Sequence, residues 1–236
     1  MVDEISTSFK RAQERYADGE LVLLIDGSGG MPHAFKGEGN PFVIAVEYAT
    51  EARALSPDRV TALVFGEDAD NLPPPLPLDG RDPMSFFPGG PSYFLPAFQY
   101  FVKACNNGLI KSPAHLVIVS DGDIYESMPE SRAATTTMLT NFLRSHPEVM
   151  FDVIIPGQEQ SGLADMIKEI AQAVPENAPR LSVVENVGGL RKSIANVINE
   201  RSNAVENFTE TLRSGADKPV SAMTMSALRL RKPETT

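Results

Sequence analysis

Apolar residues follow two rhythms along this chain. Apolar or largely apolar runs of strand length occur at Leu21–Ile25, Val60–Phe65, His115–Val119, Val149–Ile155 and Leu181–Val187. Continuous runs of this kind mark parallel strands buried on both faces. Between them, apolar positions recur at helical spacing. Phe42, Val46, Ala49 and Ala52 share one face of a segment ending near Leu55. Similar segments span Tyr93 to Asn107, Pro129 to Ser145 and Leu163 to Val174. Strand followed by helix, repeated, predicts an α/β domain with a mainly parallel central sheet and helices on both faces.

Local signals set the boundaries. Asn40-Pro41 starts a helix, with Asn as N-cap and Pro in the first turn. Ser56-Pro57 stops it, and Asn107-Gly108 ends the helix before the third strand. Gly188-Gly189 opens a final helix that runs to about Arg213, with Leu190, Ile194, Val197, Val205, Phe208 and Leu212 at helical spacing. Its first half is expected to pack on the sheet and its second half to extend toward a partner or another copy. Ile5, Phe9, Ala12 and Tyr16 predict an amphipathic helix ahead of the first strand. Three parts follow: an N-terminal helical extension over 1–17, an α/β domain over 18–213, and a flexible basic tail over 214–236 that carries Arg229, Arg231 and Lys232.

A long irregular stretch separates the second strand from the next helix, Gly66 to Gly90. Its run Leu72-Pro73-Pro74-Pro75-Leu76-Pro77-Leu78 reads as a stiff spacer across the surface or as a ligand for a proline-binding module. Part of the stretch is also long enough to hide a short edge strand.

The candidate chemistry sits where strands end. The first strand stops at Asp26-Gly27-Ser28-Gly29-Gly30, and the third at Ser120-Asp121-Gly122-Asp123. Between them, Gly89-Gly90-Pro91-Ser92 leads into a helix. In open α/β sheets, ligands bind at the carboxyl ends of the strands. Carboxylates and hydroxyls gathered there are hard oxygen donors of the kind Mg²⁺ prefers. On these residues the chain resembles the von Willebrand factor A (vWA) family, intracellular bacterial type, over roughly residues 18–200. That family's metal-ion-dependent adhesion site has Asp-x-Ser-x-Ser after the first strand, a Thr in a Gly-Gly-Thr-like loop, and an Asp in a Thr-Asp-Gly-like turn. The matching residues are Asp26 and Ser28, then Ser92, then Asp121. The resemblance implies a Rossmann-like three-layer fold and a Mg²⁺ or Mn²⁺ ion held by Asp26, Ser28, Ser92 and Asp121, with Asp26 acting mainly through bound water.

The site departs from the family in two places. Gly30 stands where the family has its second Ser, so one hydroxyl ligand is missing and weaker metal binding is expected. Pro91 lengthens the Gly-Gly-Thr loop by one residue, and Ser92 takes the Thr position if that insertion is allowed.

Composition narrows the partners. The net charge of -10 over 236 residues argues against nucleic acid or an anionic membrane, both of which need clustered Lys and Arg. The single cysteine, Cys105, cannot form an internal disulfide and reads as a small core residue. No stretch reaches the roughly 18 apolar residues of a membrane span. The acidic start Met1-Val2-Asp3-Glu4 lacks an apolar signal core, so a cytoplasmic location is expected.

Rival chemistries fail on the same residues. A Gly-x-Ser-x-Gly nucleophile elbow would need Gly where Asp26 stands. A Gly-x-Gly-x-x-Gly fingerprint starting at Gly27 meets Pro32 at its last position. His33, His115 and His146 show no zinc spacing, and His33, nearest the site, reads as a loop residue. Asp123 reads either as an acceptor for a metal-bound water or as a turn cap. Asp68 and Asp70 read as surface loop acids.

The expected function is therefore that of a protein–protein adaptor and not an enzyme. The ion leaves one coordination position open for a partner Asp or Glu. The resemblance to intracellular vWA proteins points to work with an AAA+ ATPase or in a stress-response or tellurite-resistance system. Two alternatives stand beside it. One is a metal-independent assembly protein using its terminal helices and tail, with oligomers possible. The other is a metal-dependent phosphohydrolase, for which the sequence offers no general base or nucleophile.

Overall fold

In a computed structural model, the structure describes residues 19–55, 58–66, 75–111, 114–123, 129–157 and 161–197. All belong to one compact unit, Asp18–Glu200. The expected N-terminal extension, the basic tail, the second half of the last helix and the loop acids Asp68 and Asp70 lie outside the described residues.

Strands β1 (Leu21–Asp26), β2 (Val60–Phe65), β3 (His115–Val119), β4 (Met150–Pro156) and β5 (Arg180–Val184) form one sheet in the order β2-β1-β3-β4-β5. Every pairing is parallel. Helices α1 (Pro41–Leu55), α2 (Phe94–Asn106), α3 (Pro129–Ser145) and α4 (Gly162–Ala173) alternate with the strands, and a last described helix, α5, covers 187–197.

Period-two alternation divides β1 between two cores. Val22 and Leu24 face the layer of α2, α3 and α4, where Phe94, Phe98, Phe101, Leu139, Phe142 and Ile167 pack. Leu21, Leu23 and Ile25 face the other layer, where Phe42, Val46 and Ala49 of α1 pack with Leu190 and Ile194 of α5. The result is a three-layer α/β domain, and it explains why β1 is apolar at every position before Asp26: both of its faces are covered.

Two boundaries differ from the sequence expectation. The last strand ends at Val184 and not at Val187, because Asn186 turns the chain into α5. Its side-chain oxygen accepts from the Gly189 amide at 2.9 Å, an N-cap that the apolar pattern passes over. From Pro75 onward the proline-rich run is no free spacer either, and Pro75 bridges β2 on the side where a short edge strand is one expectation. Leu76 and Leu78 are buried in the α1 core, and Pro75 pairs antiparallel with Leu63 on the outer edge of β2. The Leu76 amide donates to Ala62 O at 2.7 Å. A proline suits that edge, since it has no ladder donor to leave unpaired.

The strand order reverses direction at β1. From β1 the chain passes to β2 on one side, then crosses back to β3 on the other. The crevice at the carboxyl ends of β1 and β3 is thus the topological switch point, where open α/β sheets bind ligands. No helix among the described residues is long and apolar enough to cross a membrane.

Candidate metal centre

Asp26 ends β1 at that switch point and is fully buried. Three donors converge on its carboxylate. The Ser28 amide donates to Oδ1 at 2.8 Å. Ser92 Oγ lies 3.0 Å from Oδ1 and 2.9 Å from Oδ2. Ser120 Oγ donates to Oδ2 at 2.6 Å. Burial drives this carboxyl above the ordinary range, against the opposing pull of Ser120, of the Ser28 amide and hydroxyl, and of Ser92.

Ser92 reaches Asp26 because its loop is clamped to the end of β1. Gly27 N donates to Phe65 O at 2.7 Å, Gly89 N to Gly27 O at 3.0 Å, and Gly29 N to Gly90 O at 2.9 Å. Gly89 and Gly90 both have φ above +70°, a left-handed pair that side-chain-bearing residues rarely adopt. The Pro88 ring wedges against Gly27 and Gly66, where a Cβ would come within 2.5 Å and 2.9 Å of it. Pro91 lies within this loop, and Ser92 reaches the Asp26 carboxylate.

Asp121 follows β3 across the crevice. Its Oδ1 accepts from the Asp123 amide at 3.2 Å, closing a turn through Gly122 at φ +87°. Burial first, then the charge of Asp26, push its carboxyl up to about 7, while the Asp123 amide pulls it down. Asp123 enters this turn through its backbone, and its side chain is exposed. His33 is also exposed, at the end of a short helical turn over Met31–His33. Cys105 packs against the α2 core with its thiol pushed up to about 12, by burial and then by Glu20 and Glu148, as expected of a core residue.

Ser120 is the site residue that the sequence reading passed over. It is fully buried, ties Asp26 to β3, and its Oγ accepts from the Gly122 amide at 3.0 Å. The available signal was its place just before Asp121, the Thr position of the Thr-Asp-Gly-like turn.

The donor set fits a hard divalent cation. Ser28 Oγ is buried, and it lies close enough to Asp26 to favour the charged form. It nevertheless makes no hydrogen bond of acceptable geometry. An orphaned buried hydroxyl costs about 1–3 kcal/mol unless a partner satisfies it. Among the described residues no three His, Cys, Asp or Glu side chains converge, so the donors here are two carboxylates and serine hydroxyls. Such oxygens suit Mg²⁺ or Mn²⁺. Asp26, Ser28, Ser92 and Asp121 are the residues that would hold the ion, with Ser120 orienting Asp26.

No protein-family model matches the sequence, and no curated protein does. Solved structures do match. A von Willebrand factor type A protein from Catenulispora acidiphila aligns with a TM-score of 0.50 at 12% identity, over 81% of this chain and 43% of that one. The chain has a vWA-like fold. Proximal thread matrix protein 1 from the mussel byssus aligns with a TM-score of 0.52 at 13% identity, over 79% of this chain and 48% of that one. The PilB minor pilin from Streptococcus sanguinis gives 0.51 at 10% identity, over 78% and 62%. The vWA-like domain therefore matches only part of each neighbour's length, and at these identities the likeness carries the fold alone.

Proposed function

We propose that this vWA-like domain is an adaptor that binds a protein partner through a divalent cation at the Asp26 site. The vWA fold commonly mediates protein–protein interaction. The observation that carries the metal reading is Ser28 Oγ, buried without a hydrogen bond beside a carboxylate that three other side-chain and backbone groups hold in place. A bound Mg²⁺ or Mn²⁺ supplies the missing partner for that hydroxyl and offsets two carboxylates in one crevice. An Asp or Glu of the partner then completes the coordination. The adaptor role suits a cytoplasmic protein working with an AAA+ ATPase or in a stress-response or tellurite-resistance system.

Affinity capture from native lysate tests the reading, with tagged full-length chain in Mg²⁺ and in EDTA. A partner lost in EDTA and lost with Asp121→Ala is the expected result. A partner retained equally in all conditions would overturn the metal bridge and turn attention to the terminal segments.

A further inference from the structure

Gly30 is a glycine that its backbone does not require. Its φ of −73° and ψ of −35° lie in the right-handed helical region, open to every residue. Its surroundings supply the reason. An ideal Cβ at position 30 would clash with Asp121 Oδ2 and lie 3.1 Å from its Cγ, and the third-nearest atom is Oδ1 of the same group at 3.7 Å. The three atoms nearest to a Cβ at position 30 thus all belong to Asp121. The neighbouring Gly29 makes the contrast: a Cβ there meets nothing nearer than Gly90 O at 3.7 Å.

We infer that Gly30 and Asp121 form one unit in the metal site. The missing side chain at position 30 opens the place of the second hydroxyl, and the Asp121 carboxylate fills it as a direct oxygen donor. This inference rests on the metal reading above. Asp121 is already one of the four candidate ligands, so the site keeps one protein donor fewer than the family pattern, and a carboxylate stands where the neutral hydroxyl would be. A carboxylate binds a hard cation more strongly than a hydroxyl does. Restoring the Ser harms the site, because its Cβ evicts Asp121 before its hydroxyl can contribute.

A double-mutant cycle on the full chain tests this, with Mn²⁺ as the probe and free Mn²⁺ followed by electron paramagnetic resonance. Gly30→Ser and Gly30→Ala are each expected to weaken Mn²⁺ binding by about tenfold or more, equally, because the Cβ is what they share. In an Asp121→Ala background the sign changes: Gly30→Ser binds Mn²⁺ as well as Asp121→Ala alone or better. Thermal unfolding in EDTA identifies any variant that fails to fold. Asp121→Asn, which keeps the shape and loses the charge, then carries the test and is expected to weaken binding by a similar factor. Wild-type affinity matched or exceeded by Gly30→Ser, or by Asp121→Asn where the Gly30 variants do not fold, would overturn the inference and leave the metal reading standing. Absence of saturable Mn²⁺ binding by the wild type would overturn both.

Discussion

Ser120 donates its hydroxyl hydrogen to Asp26 Oδ2 at 2.6 Å and so joins the carboxyl ends of β3 and β1. Both residues are fully buried, and Ser120 is the strongest of the groups that hold the Asp26 carboxyl down against burial. A hydrogen bond to a buried charge is worth about 1.5–3 kcal/mol. Ser120→Ala is therefore expected to destabilise the fold by about 1–3 kcal/mol. It should also weaken divalent-cation binding, because Asp26 loses a fixed orientation. Chemical denaturation with and without Mn²⁺ reads both effects, and an unchanged midpoint would show that Ser120 carries neither.

Asp121 predicts how metal binding depends on pH. Its carboxyl is raised from 3.8 to about 7 in the metal-free protein. A raised acid contributes stability that is full below its unfolded value near 3.8 and is lost as pH rises through about 7. A divalent cation takes the place of that proton, so its stabilising effect should grow over the same interval. The rise in unfolding temperature on adding Mg²⁺ should be larger at pH 8 than at pH 5.5. With Asp121→Asn the dependence should flatten, and an equal rise at both pH values in the wild type would contradict the assignment.

The opposite end of the sheet carries a second polar cluster with the opposite sign. Arg180 Nε donates to Asp152 Oδ1 at 2.7 Å and its Nη2 to Oδ2 at 2.5 Å, while His115 Nε2 lies 2.5 Å from Oδ2. Burial pushes the Asp152 carboxyl up, but the bonds from His115 and Arg180 outweigh it and hold it below the usual range. Its stabilisation is thus present above the unfolded value of about 3.9 and is lost as pH falls through the lower folded value. Asp152→Asn should cost roughly 1–3 kcal/mol at neutral pH. That is below the figure for a fully buried pair, since Arg180 is half exposed. The gap between variant and wild type should narrow in acid, and urea titrations at pH 7 and pH 3 would show it.

Two glycines that flank Ser28 should behave differently. A Cβ at Gly27 would press on the Pro88 ring at 2.5 Å and on Val64 at 2.7 Å, whereas one at Gly29 meets open space to 3.7 Å. Gly27→Ala is expected to cost about 1–3 kcal/mol through overpacking. It should also shift the loop that carries Ser92 and weaken cation binding. Gly29→Ala should leave stability within about 0.5 kcal/mol. Similar effects of the two substitutions would argue that the Pro88 wedge does not position Ser92.

Much of this architecture was legible because burial on both faces writes itself into unbroken apolar runs. β1 reads as a strand without ambiguity: all six residues are buried, and the apolar run stops at Asp26. Asp26, Ser28, Ser92 and Asp121 were placed by their positions at strand ends and by the family pattern, and the fold brings them to one crevice. What stayed hidden depends on atoms far apart in sequence. Ser120 looks like the polar end of a strand until its hydroxyl meets Asp26, 94 residues away. Gly30 reads as a missing ligand until the Asp121 carboxylate is found where a side chain would begin. Leu76 and Leu78 were obscured by the prolines around them, because a proline-rich composition does not show that its leucines reach a core.

Thermal unfolding of the full chain with Mn²⁺, compared with Ser28→Ala, tests the cation site most directly. At about 100-fold above the dissociation constant, linkage stabilises the wild type by about 2.7 kcal/mol, which is roughly 5–10 °C for a domain of this size. The account predicts a saturable rise of that order in the wild type and its loss in Ser28→Ala, whose orphaned hydroxyl is gone. Absence of a rise in the wild type, or an equal rise in both proteins, would contradict it.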